Sequence, residues 1–527
     1  MPQHKPVVLV ILDGWGETAE TRGNAAFAAN LPTIDQLDQL YPKITLQASG
    51  LAVGLPWLQY GNSEVGHQIL GTGQIIYQYL PLISGAIGSG EFMKNQILLQ
   101  AMQQVKEKQS KLHLLGLISD GGVHSHIDHL FALIELARWQ GLTQKTFIHA
   151  VTDGRDTPIH EAQYFISRIK AASGGNIATI AGRYYAMDRN NNWDRTQKAY
   201  DAMVFGKGIK EKDPLEAVKN QYQRNLSDEH LEPVVITDNN DKPLATIEEN
   251  DIVIFFNFRK DRARQITRAF TSPQFNKFPK KNHSPMNFVS MVRYSQKFNT
   301  PVVFPPQKIS CRVSQIISDN QIKQLKIAET EKYAHVTYFF NGGLEKPFPG
   351  EKQILIPSKN APSYANVPEM SAYEITDTVI KELDKDDYGF ILVNYANPDM
   401  VGHTGDFQAA IKAAQTIDSC LRKLIKVILD KKGCLLITAD HGNFEEMINL
   451  KTGVIDTQHS NNPVPCWFIT PNNLGQKLQD SALQEKPRGM LVDIAPTILY
   501  LLGIRKPLTM QGINLIPILQ NQQPFIS

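Results

Sequence analysis

The chain has 527 residues, of which 42% are hydrophobic and 20% are charged, and its formal net charge is +2. A chain this long exceeds one ordinary hydrophobic core, so we expect two large domains. The balanced charge argues against nucleic acid or an anionic membrane as a partner, and no apolar run approaches the ~20 residues that a membrane-spanning helix needs. The cysteines form no CxxC pair, which favours reduced thiols in a soluble, cytoplasmic protein; they are Cys311, Cys420, Cys434 and Cys466.

Short apolar, β-branched runs alternate with amphipathic patterns along the chain, which is typical of an α/β fold. In chain order, strands are predicted over 6–12, 111–118, 146–152, 176–183, 251–258, 286–294, 388–395 and 433–439. Helices are predicted over 128–140, 160–172, 367–384 and 407–430.

Two stretches, 77–90 and 298–310, resemble crossings between domains, and the second is rich in proline. They predict a domain over 80–305 inserted into a discontinuous domain made of 1–79 and 306–527. Residues 81–300 carry 29 Lys and Arg against 23 Asp and Glu. This excess would suit an anionic substrate, although a random distribution of surface charge explains the count equally well.

Three predicted strands of the outer domain end on possible metal ligands. Ligands at the carboxyl ends of strands in an open α/β sheet can converge, and a mixed oxygen and nitrogen set suits Mn, Zn or Fe. A single Asp-His pair is usually just a helix start, so the combination of several strand ends carries the prediction. The candidate ligands, including one histidine from a later loop, are Asp13, Asp399, His403, Asp440, His441 and His459.

The stretch YGNSEVGHQIL at 60–70 reads as a loop entering a helix, and it contains Ser63. Gly66 occupies the position where a capping box needs Glu or Gln, so a plain N-cap role for Ser63 stays open. A divalent ion would lower the pKa of a coordinated serine hydroxyl, and a helix start favours a phosphate group, to which Asn62 offers a donor. We therefore predict that Ser63 is a nucleophile.

The inserted segment carries arginines in the motifs VTDGRDTP, AGRYYAMDRNNNWDRT and NFRKDRARQ. The planar guanidinium group of arginine binds carboxylate and phosphate groups through paired hydrogen bonds. Some of these arginines can instead pair with neighbouring aspartates, and we expect both, with Asp153, Asp188, Asp194 and Asp261 orienting the arginines. The candidate anion-binding residues are Arg155, Arg189, Arg195, Arg259 and Arg262, and Asp156 is a further candidate site residue beside Arg155.

The stretch SDGGVHSHIDHL contains H-x-H-x-D-H, the zinc signature of metallo-β-lactamase-type hydrolases. A zinc site here would leave Ser63 and the outer-domain ligands without a role, and no further ligand set follows in this segment. We therefore interpret His124 as a substrate contact and His126 and His129 as structural residues.

Eight motifs resemble, in order across nearly the whole chain, those of the 2,3-bisphosphoglycerate-independent phosphoglycerate mutases. They are DGWG, YGNSEVGH, SDGGVHSH, VTDGRDTP, NFRKDRARQ, ETEKYAHVTYFFNGG, NPDMVGHTGD and ADHGN. The resemblance implies an alkaline-phosphatase-like metal-binding domain interrupted by an α/β transferase domain. It also implies an isomerase of glycolysis and gluconeogenesis that interconverts 3-phosphoglycerate and 2-phosphoglycerate through a phosphoserine. We further expect a cytoplasmic monomer whose partner is this small-molecule substrate.

The resemblance implies two divalent metal ions, usually Mn²⁺, with Mg²⁺ or Co²⁺ as alternatives. One ion would be bound by Asp399, His403 and His459, and the other by Asp13, Ser63, Asp440 and His441. Asp156 would be the acid/base group of the reaction. The residues that would bind the substrate are His124, Arg155, Asp156, Arg189, Arg195, Arg259, Arg262 and Lys332. Without the resemblance, Lys332 would be interpreted as an ordinary solvent-exposed lysine.

One motif departs from the family pattern, because QHSNNPVP stands where a threonine-rich run is usual. His459 is retained, so we expect it still to bind metal.

Three alternatives remain. A phosphomonoesterase or sulfatase of the same superfamily needs the outer domain but not the arginines. A phosphopentomutase-like enzyme is expected to lack VTDGRDTP together with the paired-arginine motifs. A binding protein without catalysis has no need of Ser63 and the six Asp and His candidates.

Overall fold

The computed structural model describes residues 5–174, 176–281, 287–385, 387–477 and 486–520. The chain forms two compact units, one from Met1–Gln78 with Lys308–Ser527 and one from Tyr79–Gln307. The boundaries predicted from the sequence, after residues 79 and 305, lie one and two residues away from these.

The strands follow the chain order β1 Val7–Leu12, β2 Lys43–Gln47, β3 Leu112–Leu117, β4 Thr146–Thr152, β5 Ile177–Gly182, β6 Ile209–Glu211, β7 Val234–Ile236, β8 Ile252–Phe255, β9 Asn287–Val292, β10 Val302–Phe304, β11 Gln324–Glu329, β12 Glu351–Ile356, β13 Phe390–Tyr395, β14 Cys434–Thr438, β15 Val464–Ile469 and β16 Gly489–Met490.

The helices are α1 Ala25–Ala28, α2 Pro32–Leu40, α3 Ser63–Thr72, α4 Tyr79–Gly88, α5 Gln96–Glu107, α6 Ile127–Trp139, α7 Ala162–Ser173, α8 Arg183–Ala186, α9 Trp193–Phe205, α10 Pro214–Tyr222, α11 Arg264–Thr271, α12 Val313–Asp319, α13 Thr330–Ala334, α14 Ala372–Lys385, α15 Asn397–Gly402, α16 Phe407–Asp430, α17 Ile494–Leu501 and α18 Ile516–Leu519. Among the described residues, no helix combines the length and apolarity needed to cross a bilayer.

The first unit is built on a sheet of order β12-β11-β13-β1-β14-β15-β2-β16. The five strands from β12 to β14 are parallel, whereas β15 is antiparallel to both of its neighbours. Every residue of β1, β13 and β14 is buried, as expected for parallel strands covered on both faces. The carboxyl ends of these three neighbouring strands therefore meet at one edge of the sheet.

The second unit has its own sheet, of order β10-β9-β8-β3-β4-β5-β7-β6. The strands from β10 to β5 are parallel, and β7 is antiparallel to β5. Its core consists of side chains between Ile83 and Val303. The two sheets confirm the predicted α/β fold class.

Candidate functional site

The predicted metal ligands of the first unit come together at the edge formed by β13, β1 and β14. Asp13 directly follows β1, Asp399 lies in α15 just after β13, and Asp440 lies two residues after β14. Gly14 makes this convergence possible, because it has a φ of +76° and a Cβ there would lie 2.8 Å from the Asp399 Cα.

Three atoms that could bind a metal ion converge around Asp399. Its Oδ1 lies 3.2 Å from the Nε2 atoms of both His403 and His459, and these two nitrogens are 3.1 Å apart. The Nδ1 atoms of His403 and His459 face the carbonyl oxygens of Thr457 and Gly61 at 2.8 and 2.7 Å. Since a carbonyl oxygen only accepts, each Nδ1 carries the proton, and each neutral Nε2 directs a lone pair at the carboxylate. Lone pairs facing one another in this way fit a cation.

A second group of metal-binding atoms lies beside the first. One ligand atom each from Asp13, Asp440 and His441 lie within 4.8 Å of one another, and His441 also lies within 4.8 Å of ligand atoms of Asp399 and His459. Asp440 Oδ2 is buried and accepts no hydrogen bond from the part of the chain described. His67 Nδ1 is 3.1 Å away, but its proton goes to the Ser63 carbonyl oxygen at 2.9 Å. This oxygen is thus available to a metal, and the donor set fits divalent metal ions.

Ser63 is the first residue of α3, and its Oγ points into this centre. The Oγ lies 3.1 Å from Asp13 Oδ1 and 2.9 Å from His441 Nε2. Asn62, not Ser63, caps the helix, because Asn62 Oδ1 accepts from the Val65 backbone N–H at 3.0 Å. The Ser63 hydroxyl is thereby left for the site. Only glycine fits at Gly66, where a Cβ would lie 2.7 Å from the Asp440 carbonyl oxygen.

Lys332 lies among the candidate metal ligands rather than in solvent. Its Nζ is 2.7 Å from Ser63 Oγ and 2.6 Å from both Asp13 Oδ1 and Asp399 Oδ2. Burial alone would lower the pKa of Lys332, but Asp13, Asp399 and Asp440 outweigh burial and raise it. The lysine is therefore a permanent cation beside the serine oxygen.

The pKa values of two carboxyl groups in the centre are shifted in opposite directions. Burial, and then the negative charge of Asp440, raise the pKa of Asp13. Burial alone would raise the pKa of Asp399, but the positive charge of the Lys332 ammonium outweighs burial, and the pKa is lowered. Asp399 thus remains ionised and able to bind a cation.

Glu445, which the sequence analysis missed, joins three loops of this centre. Its Oε2 accepts from the backbone N–H groups of Gly16 at 3.0 Å and Asn443 at 2.9 Å. Its Oε1 accepts from the Ser460 hydroxyl and, at 3.0 Å, from Asn462 Nδ2. Ser460 belongs to the stretch that departs from the family pattern, so a departing residue helps to hold the loop that carries His459.

Three further contacts of the centre also escaped prediction. Asn443 Nδ2 donates to Asp399 Oδ1 at 2.8 Å, and Asn394 Nδ2 donates to Asp13 Oδ2 at 2.8 Å. Asn394 also lies 3.0 Å from His67 Nε2. His67 and Asn443 lie within the motifs YGNSEVGH and ADHGN, so these motifs could have identified both residues.

The second unit contains a separate polar cluster at the ends of β4 and β5. Arg183, buried and not among the predicted residues, pairs with Asp153 and, at 2.6 Å, with Asp156 Oδ2. His124 Nε2 lies 3.9 Å from the same Asp156 oxygen. Burial, and then the charge of Arg183, lower the pKa of His124 to about 4, so this imidazole is neutral at pH 7.

The predicted arginines surround this cluster. Arg189 and Arg259 both contact Asp261, at 2.7 and 3.1 Å. Arg262 donates to the Met187 carbonyl oxygen at 3.2 Å, and its pKa is lowered first by burial and then by neighbouring guanidinium groups.

Arg195 lies 3.4 Å from Asp188 and 3.9 Å from the centre of the Tyr184 ring, while Arg155 lies 3.5 Å from Glu229. Aspartates thus orient several of these arginines, and the excess of positive charge suits an anion.

The other histidines of the H-x-H-x-D-H stretch face different partners. His126 caps α6 by accepting from the Asp128 backbone N–H, whereas buried His129 lies 3.0 Å from Ser84 Oγ. This geometry assigns the two histidines to the structure of α6 and its packing.

Comparisons with known proteins agree along the chain. Residues 83–296 match the family model described as the BPG-independent PGAM N-terminus. A 2,3-bisphosphoglycerate-independent phosphoglycerate mutase of Clostridium beijerinckii is 48% identical over 517 residues, covering 97% of this chain and 99% of the relative. The enzyme of the same description from Methanococcoides burtonii is 46% identical over 520 residues, covering 97% and 98%.

A solved structure is also similar. Leishmania mexicana phosphoglycerate mutase, crystallised at low cobalt concentration, is 30% identical, with 97% of each chain covered and a TM-score of 0.50. The family predicted from the motifs is confirmed. The chain belongs to the 2,3-bisphosphoglycerate-independent phosphoglycerate mutases, the isomerases that interconvert 3-phosphoglycerate and 2-phosphoglycerate through a phosphoserine.

Proposed function

We propose that this chain catalyses its family's reaction with Ser63 as the residue that accepts and returns the phosphoryl group. The observation that carries the proposal is the surroundings of Ser63 Oγ, which lies 2.7 Å from Lys332 Nζ and 2.9 Å from His441 Nε2. A serine that serves only as a helix cap does not require an ammonium group and an imidazole beside its hydroxyl. Here Asn62, not Ser63, caps the helix.

The donor set supports two divalent ions, one at Asp399, His403 and His459 and one at Asp13, Ser63, Asp440 and His441. Mn²⁺ suits the mixed carboxylate and imidazole ligands, with Mg²⁺ or Co²⁺ as alternatives. When bound, the ions supply Lewis acidity that lowers the pKa of the serine hydroxyl and neutralises the phosphoryl oxygens.

The protein's own groups act around the serine oxygen. The Ser63 hydroxyl gives up its proton, its Oγ attacks the phosphorus of 3-phosphoglycerate, the bond from phosphorus to the substrate's O3 breaks, and O3 takes up a proton. In the second half, O2 of the glycerate gives up its proton and attacks the phosphoserine, the bond from phosphorus to Ser63 Oγ breaks, and Oγ takes up a proton, so that Ser63 returns to its starting form. Lys332 remains positive throughout, because neighbouring carboxylates raise its pKa, and it stabilises the charge on the transferred group.

The residues of the second unit are proposed to hold and protonate the glycerate. Its carboxylate suits the guanidinium groups. Asp156 is the acid/base group, and its contact with Arg183 fixes the position of its carboxylate. The residues proposed to bind substrate are His124, Arg155, Asp156, Arg189, Arg195, Arg259 and Arg262, with Lys332 on the phosphoryl group.

One assay separates this reaction from a phosphatase. Metal-stripped protein receives Mn²⁺ and 3-phosphoglycerate without 2,3-bisphosphoglycerate, and 2-phosphoglycerate and free phosphate are measured together. We expect metal-dependent 2-phosphoglycerate with little free phosphate, and loss of both in Ser63→Ala. Free phosphate without 2-phosphoglycerate would contradict the roles given to the arginines.

A monomeric, cytoplasmic enzyme without nucleic acid or membrane partners remains part of this proposal. The free cysteines support a reducing compartment, because all four are buried and burial raises the pKa of Cys420 to about 11 and of Cys466 to about 12. Light scattering of the purified protein should give a mass near 59.1 kDa, and twice that mass would contradict the monomer.

A further inference from the structure

The second unit contains a cavity that takes no part in the proposed reaction. Its volume is about 830 Å³, and it is lined by α5, α11, the start of β9 and residues between Ser295 and Pro301. Small-molecule sites in proteins typically occupy about 300–1,000 Å³. The cavity is therefore large enough for a ligand the size of a nucleotide.

The charged groups of the described lining are all positive. They are Arg264, Arg268 and Lys297, and no aspartate or glutamate lines the cavity. Arg264 and Arg268 are four residues apart in α11 and so lie on one face of the helix. A concave surface of one sign concentrates ligands of the opposite sign.

These cations differ from the arginines around Asp156, which have carboxylate partners. Within the described ranges, Arg264, Arg268 and Lys297 have no carboxylate in ion-pair distance. Arg264 Nε donates to the Tyr294 carbonyl oxygen at 2.9 Å, which fixes its guanidinium group, and its terminal nitrogens donate no hydrogen bond to any residue that the structure describes. Arg268 lies 5.7 Å from the centre of the Trp193 ring.

The rest of the lining combines two kinds of surface. Ile97 and Phe298, whose side chains are only partly buried, give an apolar surface. Amide and hydroxyl groups, including those of Gln100 and Asn299, provide neutral hydrogen-bonding partners. Such a lining suits a ligand with both an anionic group and an apolar or aromatic part.

We propose that this cavity binds a multiply charged phosphorylated small molecule of the nucleoside diphosphate class. The site is distinct from the proposed phosphoglycerate site, since none of the residues assigned to phosphoglycerate lines it. Arg264, Arg268 and Lys297 contact the phosphates, and the apolar surface at Phe298 contacts the base.

The test is calorimetric titration of ADP, with EDTA present, into the full-length protein. The variant Arg262→Ala weakens anion binding at the arginines near Asp156, so ADP affinity that is unchanged in this variant comes from a different site. We expect one ADP to bind to the wild type and to Arg262→Ala with similar affinity. The double variant Arg268→Ala/Lys297→Ala should bind ADP at least tenfold more weakly.

A matched control is Lys108→Ala/Lys277→Ala, which removes two exposed charges from the same unit outside the cavity and should bind ADP like the wild type. Thermal unfolding checks that each variant is folded. No binding of ADP to the wild type would overturn the proposal. Binding that disappears in Arg262→Ala but persists in Arg268→Ala/Lys297→Ala would equally overturn it.

Discussion

Lys332 shows why a single residue type in a sequence can mislead. The sequence ETEKYAHVT suggests a solvent-exposed lysine, yet the Lys332 Nζ lies 2.6–2.7 Å from three acceptor oxygens. The strand before it, QLKIAE, is fully buried despite three polar residues. Lys326 of this strand pairs with buried Glu351 at 3.1 Å, so pairing and not apolar character allows its burial. No hydrophobic pattern marks such a strand, so β11 was not predicted. The resemblance to the family, and not the local residue pattern, pointed to Lys332.

Replacing Lys332 by methionine removes the charge and keeps most of the volume. We expect kcat to fall by at least ~100-fold with a smaller change in KM, because charge stabilisation of the transferring group is lost. Steady-state kinetics of Lys332→Met measures this, with exposed Lys412→Met as the matched control. A kcat within threefold of the wild type would exclude the role given to Lys332.

Arg183 was hidden for a different reason. The predicted strand ran to residue 183, whereas β5 ends at Gly182 and Arg183 begins α8. Its guanidinium group therefore lies at the end of the strand, beside Asp153 and Asp156, where it is 2% exposed. An error of one residue at a boundary was enough to conceal a buried ion pair.

Arg183→Met leaves two carboxylates facing each other without their cation. Breaking a buried ion pair in this way costs about 3–5 kcal/mol, and urea unfolding should show a loss of that order. Adding Asp153→Asn should recover part of the loss, since one unpaired charge is then removed. Additive effects of the two substitutions would contradict direct coupling.

At the level of helices and strands, the candidate ligands that follow three strands lie close together, as the geometry of parallel sheets requires. β13, β1 and β14 are neighbours, so ligands after each of them necessarily meet. The Asp399–His403 spacing indicates a helical turn, and α15 forms this turn, with His403 at its C-cap. The contacts between loops were not predictable, since Glu445 meets residues as distant in sequence as Gly16.

Glu445→Gln tests these contacts between loops. The amide would direct N–H groups at donors from three loops, so we expect the loops to shift and Mn²⁺ affinity to fall by about 10–100-fold. Calorimetric titration of the metal-free variant with Mn²⁺ gives the affinity independently of turnover, and exposed Glu345→Gln is the control. Unchanged Mn²⁺ affinity in folded Glu445→Gln would refute the positioning role.

At the scale of the whole molecule, each unit has its own sheet and its own core. The second unit buries several histidines whose pKa values burial lowers, namely His113, His124, His129 and His149. Below the usual histidine pKa of ~6.5 the unfolded chain takes up protons that these folded side chains refuse. The free energy of unfolding must therefore decrease as the pH falls below about 6.5.

The variant His129→Gln isolates the contribution of one histidine to this decrease in the free energy of unfolding. Burial lowers the pKa of His129 to about 3, so from pH 7.5 to 5.5 this residue should account for about 1 kcal/mol of the loss. Urea unfolding at both pH values should show a smaller loss in His129→Gln than in the wild type. The exposed His160→Gln variant should behave as the wild type does, and an equal loss in all three proteins would contradict the account.

The most direct test of the account is the position of the phosphoryl group during turnover. Protein supplied with Mn²⁺ and 3-phosphoglycerate is quenched in acid within milliseconds, digested, and its peptides are sequenced by mass spectrometry. We expect a phosphate on Ser63 in the wild type, and neither phosphopeptide nor 2-phosphoglycerate from Ser63→Ala. A phosphate on another residue, or 2-phosphoglycerate formed by Ser63→Ala at the wild-type rate, would contradict this expectation.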